Sequence, residues 1–281
     1  MRLADLGLRN VGILMFKELR DAWRNRWFLL YSVAFAVLAL AMSWLSLVGV
    51  AGTGFAGLGR TAASLVNLVI LIVPLMGLTL GAGGIAAERD SGSFLYLLSQ
   101  PVSRLEVVVG KFLGLGAAVM ATLSMGFGVA ALVIARRVGE GGAGPFLGFL
   151  GLAALVALAS VSLGLLISAL AEKSSIAGGM SLFLWLALVL VGDLGLMGTS
   201  LVMKLGVRDL LLATLLNPLQ EFKLAAILTL RGGLEVLGPA GLYATRTYGE
   251  ALVPMLATGL ALWILLPLLA TVFVIERRGA L

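Results

Sequence analysis

Apolar and polar positions divide this chain into long apolar stretches separated by short charged intervals. Six stretches, at 28–50, 62–86, 107–135, 146–170, 176–197 and 251–275, reach the roughly 20 apolar residues needed to cross a bilayer. In lipid each backbone amide must be satisfied within its own segment, so these stretches predict helices. The alternating pattern of a barrel strand is absent. Ahead of the first stretch, residues 3–27 repeat at helical spacing. Leu8, Val11, Met15, Leu19, Ala22 and Trp23 share one face, and Arg9, Lys17, Arg20, Asp21 and Arg24 take the other. This predicts an interfacial elbow helix, with Trp23 and Trp27 at headgroup level. Between the fifth and sixth stretches, Asn217-Pro218 starts a second short periodic segment, with Leu219, Phe222, Lys223, Ala226 and Leu230 recurring. The fold class is therefore all-α and membrane-integral, with six spans, an elbow helix and an external amphipathic helix.

Composition supports the same class. The chain is 60% hydrophobic and only 12% charged, with a mean hydropathy of +1.10, too little polar surface to cover a globule in water. The absence of cysteine and histidine excludes disulfides, thiolate and imidazole metal sites, and histidine acid–base chemistry. No cleavable signal peptide is expected, because charge runs through the first 27 residues.

Charge placement sets the orientation. Arg2, Arg9, Lys17, Arg20, Arg24 and Arg26 precede the first span, and Arg277 and Arg278 follow the last. The positive-inside rule then places both termini in the cytoplasm. Arg136 and Arg137, at the outer end of the third span, depart from the pattern and are read as snorkelling. The net charge of +6 marks these flanks and membrane lipid rather than a nucleic-acid partner. Two intervals, 87–106 and 171–175, then face the cytoplasm, and 198–250 forms the large external loop.

Few residues suggest chemistry. The phosphate loop G-x-x-x-x-G-K-[ST] is missing, since Gly110-Lys111 is followed by Phe112. No hydrolase constellation is present, so the chain is not expected to be an enzyme. Asp193 is an acid within the fifth predicted span, open to a role on a cargo path or to an interfacial one. The methionines read as packing rather than copper ligands. The glycine pairs Gly77/Gly81, Gly110/Gly114 and Gly178-Gly179 read as close helix contacts.

The most structured interval is "AERDSGSFLYLLSQPVSRLEVVVGK", Ala87 to Lys111. Gly92 breaks the chain, Ser93 can cap a short helix through Leu98, and Pro101 stops it. Ser103-Arg104-Leu105-Glu106 matches a capping box opening the third span. Phe94 and Tyr96 are expected on the cytoplasmic surface.

This interval, continued through "GKFLG", resembles the stretch after the second span in permease subunits of ABC-2-type ABC transporters. "KELRDAWRNRWF" (Lys17–Phe28) is similar to that family's elbow helix. The external "NPLQEFKLAAILTL…LEVLGPAGLYA…YG" resembles the branch tied to maturation of the copper centre of nitrous oxide reductase. The likeness extends over the whole chain and implies one domain, 1–281, with an elbow at 1–27, a coupling loop at 87–106 and a periplasmic loop at 198–250. It implies a homodimer in a bacterial or archaeal inner membrane, with two cytosolic ATPase subunits beneath. ATP and magnesium would sit on those partners, and this chain would bind no cofactor. Carried over by position, Glu88, Arg89, Asp90, Ser93, Phe94, Tyr96, Leu97, Gln100, Pro101 and Arg104 form the ATPase coupling site, with Lys173 and Ser174 as a smaller contact. Asn217, Pro218, Glu221 and Phe222 would face a periplasmic maturation factor. The implied function is to move a sulfur or copper-related species, or to pass ATP-driven motion to that factor. A generic exporter of lipid, glycan or drug, and a mechanotransmitter without cargo, stay open as alternatives.

Overall fold

The computed structural model describes residues 7–53, 55–94, 99–138, 140–202, 212, 214–230 and 248–278. Side chains are described for 7–42, 64–94, 99–128, 144–192, 212, 214–230, 248–249 and 251–277. Every regular element among them is helical: α1 (Leu8–Arg24), α2 (Arg26–Thr53), α3 (Phe55–Asp90), α4 (Arg104–Val138), α5 (Glu140–Leu170), α6 (Ser174–Val202), α7 (Pro218–Thr229) and α8 (Leu252–Arg278). Each of the six apolar stretches lies within one of these helices, except that Ala251 sits in a 3-10 turn just ahead of α8. Five are long and apolar enough to cross a membrane, and a sixth crossing is counted if α1 and the start of α2, bent by 74°, form one broken span. At the bend, Asn25 Oδ1 accepts hydrogen bonds from the backbone N–H groups of Trp27 and Phe28, capping α2.

The bundle centres on α3 and α5, which approach closely because neither carries bulk at the crossing. A Cβ at Gly77 would lie 2.8 Å from Ser160 Cβ, one at Gly81 2.6 Å from the Val161 carbonyl oxygen, and one at Gly164 2.5 Å from that of Leu78. Gly110 and Gly114 do the same for α4 against α1, where a Cβ would come 2.6 Å from Leu14 Cβ and from Met15 O respectively. The pair Gly178-Gly179 departs from this expectation. Neither position has an atom within 4 Å of its would-be Cβ, so in the single chain they open the surface of α6 instead of seating a helix.

Two amphipathic expectations also change. The buried stripe of α1 is Val11, Leu14, Glu18 and Ala22, while Leu8 is 83% exposed. An acid therefore occupies the inward face. Ile13 and Phe16 point away from the bundle, an apolar outer face suited to lipid. Helix α7 is buried nearly all round, including Pro218, Leu219, Gln220, Glu221 and Phe222, because α3, α5, α6 and α8 all pack against it. At 12 residues it is too short to span.

Candidate functional site

The 87–106 interval joins α3 to α4 at the end of the bundle where α1 also lies, and its charged side chains each find a partner within the chain. Glu88 accepts from Lys17 and forms an ion pair with Lys111 at 2.8 Å. Lys111 also donates to Glu18 at 2.7 Å, and Lys17 to Glu18 at 3.2 Å with Asp21 at 3.9 Å. Two lysines and three carboxylates thus tie α1, α3 and α4 together. Lys111 is 0% exposed, so its charge must be met inside the protein. The flanking Gly110 and Gly114 bring α1 within reach of it. A lysine inside a predicted span was the available signal for this network, since a charge there needs a partner. The identity of that partner depends on how α1 docks, which sequence spacing does not contain.

The neighbouring residues fasten other elements. Arg89 donates to the Ala171 carbonyl at 2.7 Å, and its guanidinium lies 5.7 Å from the centre of the Phe94 ring. Asp90 Oδ2 accepts from the Ser174 backbone N–H at 2.7 Å, which places a carboxylate at the N-terminus of α6, where the helix dipole favours it. Arg104 donates to the Glu276 carbonyl at 2.8 Å and the Ile275 carbonyl at 3.3 Å, meeting otherwise unpaired acceptors at the end of α8. The predicted capping box is present: Ser103 Oγ accepts from Glu106 N at 3.2 Å, and Glu106 Oε2 from Ser103 N at 2.7 Å. The other oxygen of Glu106 accepts from Gly7 N at 2.5 Å, and Asn10 reaches the Pro101 carbonyl at 3.5 Å.

One coupling residue is placed differently from its sequence reading. Phe94 is 2% exposed, covered by Arg89 and packed into the core, so it is not displayed at the surface. The backbone groups that a Ser93 cap would bond, at 95 and 96, lie outside the described residues. Ser93 Oγ donates to the Glu88 carbonyl at 3.2 Å and pairs with Ser91 Oγ at 2.8 Å. Between them Gly92 has φ of 73°, a left-handed backbone that glycine adopts without strain. Tyr96 and Leu97 lie outside the described residues. Among the described residues a polar rim of Asp90, Ser91, Gly92, Ser93, Gln100 and Pro101 is exposed, joined by Glu172 and Lys173 from the short α5–α6 turn. The structure brings the two predicted contact segments together through Asp90 and Ser174. Beside them a cavity of about 580 Å³ opens between the α1–α2 bend, α3 and α6, lined by Glu18, Asp21 and Glu88 as well as by Phe28, Met76 and Leu182.

The α7 region departs further from expectation. Asn217 caps the helix, its Oδ1 accepting from Leu219 N at 3.0 Å, and its amide donates to the Leu188 carbonyl of α6 at 2.7 Å. Pro218, Glu221 and Phe222 are turned into the bundle rather than towards a partner, with Phe222 6.0 Å from Phe149 between ring centres. The backbone of Asp193 belongs to α6, but its side chain lies outside those described.

Comparison with known proteins finds relatives over nearly the full length of the chain. The chain is 33% identical over 253 residues to the "Probable ABC transporter permease protein NosY" of Pseudomonas aeruginosa, covering 88% of this chain and 90% of that protein. It is 32% identical over 268 residues to the protein of the same name from Stutzerimonas stutzeri, covering 93% and 96%. The family described as ABC-2 family transporter protein matches residues 13–280. With its helical spans, its clamped loop and that match, the chain belongs to the ABC-2 family of transporter proteins, as a multi-pass membrane permease.

Proposed function

We propose that this chain is the membrane subunit of an ATP-driven transporter in a system that matures the copper centre of nitrous oxide reductase, with its 87–106 loop as the handle for a separate cytosolic ATPase. One observation carries the reading: the loop is exposed and polar at its rim but clamped at its base. A force applied at the rim reaches α3 through Glu88, α4 through Lys111 and Glu106, α6 through Asp90 and α8 through Arg104. An ordinary connector does not need fastening to so many helices. Likeness to the two NosY permeases supports the copper branch. The cytoplasmic position of the loop rests on the arginine-rich flanks. On this reading ATP and magnesium bind the partner, two copies of this chain form the membrane unit, and a periplasmic maturation factor receives the motion or cargo.

A second reading, force transmission without cargo, is favoured by the packing. The core around α3, α5 and α7 is mostly apolar, and all residues lining the cavity belong to the loop-end half of the helices.

Co-purification tests the handle. Ser93→Trp with Gln100→Trp adds bulk only to the exposed rim, so membrane insertion and melting temperature should stay at wild-type values. ATPase recovered with the subunit should fall about tenfold, as for obstruction of an interface centre. Unchanged recovery of the ATPase would reject the rim as its docking surface.

A further inference from the structure

Helix α7 carries one group that its surroundings do not explain. Glu221 is 1% exposed, and neither carboxyl oxygen has a hydrogen-bond partner among the described residues. An ionised carboxylate in that position would lose its hydration and gain nothing in return. The side chain is aimed at α8, where position 259 is glycine. A Cβ there would collide with the carboxyl, so Gly259 leaves the room that lets Glu221 fit between the helices.

No described charge faces it. On α7, Lys223 lies two residues on and has an interaction of its own. On α8, Glu276 and Arg277 are 17 or more residues along from Gly259, about 25 Å at 1.5 Å per residue. The stretches Gly144–Leu170 of α5, Ser64–Ala87 of α3 and Ser174–Gly192 of α6 contain no charged residue. Arg60, Glu140, Asp193 and Glu250, on or beside these elements, have side chains outside those described.

We propose that Glu221 is a proton-binding site. It docks against Gly259 as the neutral acid, and α7 gives up that proton whenever it leaves the bundle. Proton release then accompanies exposure of the face of α7 that Pro218, Glu221 and Phe222 now turn inward, the same face the sequence reading assigned to a periplasmic partner. The inference does not depend on the ATPase or on any cargo.

Burial pushes the Glu221 carboxyl up to about 8. An unfolded glutamate titrates near 4.3, so the native form holds one extra proton between these values. Stability attributable to this residue must therefore fall as pH rises through that window and level off above it. With no histidine or cysteine in the chain, few other groups titrate between about pH 6 and about pH 8.5.

The test is thermal unfolding of the full chain in lipid nanodiscs from about pH 5 to about pH 8.5. The wild-type midpoint should drop steadily across this range. Glu221→Gln, a neutral amide of similar shape, should flatten the profile and unfold at a higher temperature than wild type at the alkaline end. A Glu221→Gln profile with the wild-type slope overturns the proposal. Should that variant fail to insert, infrared titration of wild-type protein carrying labelled glutamate decides the matter. A protonated-carboxyl band present near neutral pH and lost at the alkaline end supports the site, and its absence at neutral pH overturns it.

Discussion

At the scale of single residues, Lys111 is the most consequential side chain in the structure. It is completely buried, meets Glu18 and Glu88 at once, and lies between two glycines that admit α1. Breaking a buried pair from one side leaves charge stranded in low dielectric, whereas replacing all members by neutral groups removes the problem. Lys111→Met should therefore destabilise the subunit by about 3–5 kcal/mol. Adding Glu18→Gln and Glu88→Gln should recover part of that loss, a non-additivity measurable by denaturation of the single and combined variants. Additive losses would mean that the three groups do not act as one network. The sequence shows a lysine inside an apolar stretch, but its two partners lie 93 and 23 residues away in the chain and meet it only through tertiary packing. Phe94 illustrates the same limit. An aromatic residue in a polar loop reads as displayed until the position of Arg89 is known.

At the scale of elements, caps and spans were legible and faces were not. The capping box at Ser103–Glu106 and the Asn217-Pro218 start are local chemistry, written in adjacent residues, and both are present in the structure. The apolar stretches fall within helices for the same reason, since backbone satisfaction in lipid is a local demand. Which face of α1 or α7 is buried depends on neighbours far along the chain. On α1 the inward stripe includes Glu18 because Lys111 waits there; on α7 four helices surround what periodicity reads as half-exposed. Asp90 is a case where one element is fastened by another, its carboxylate capping α6 across the loop end. Asp90→Ala should cost about 1 kcal/mol, the usual worth of a helix cap, and should speed amide exchange selectively in the first turn of α6. Unaltered exchange at Ser174 and Ser175 would show that the cap contributes nothing there.

At the scale of the whole molecule, the exposed apolar surface is unevenly distributed. Helices α6 and α8 are the least covered of the spans, and α6 exposes Gly179, Phe183, Leu186 and Leu190 in the single chain. Lipid covers such a face adequately, but small residues beside large ones also suit a second helix. If the two copies proposed for the membrane unit meet along α6, Gly179→Cys should give a cross-linked dimer under mild oxidation. The wild-type chain has no cysteine, so any disulfide must run between introduced thiols. A monomer under these conditions would place the contact on another helix.

The grip of Arg104 on the Glu276 and Ile275 carbonyls spans 172 and 171 residues of chain. During synthesis the loop emerges with the third of the six apolar stretches, long before the carbonyls that secure it exist. Only when α8 has been inserted can Arg104 close onto its end. The loop is therefore finished last although it is made early, and a subunit truncated before α8 would offer a slack attachment. Assembly order is written into one hydrogen-bonded arginine, which makes completed insertion a condition for a firmly held loop.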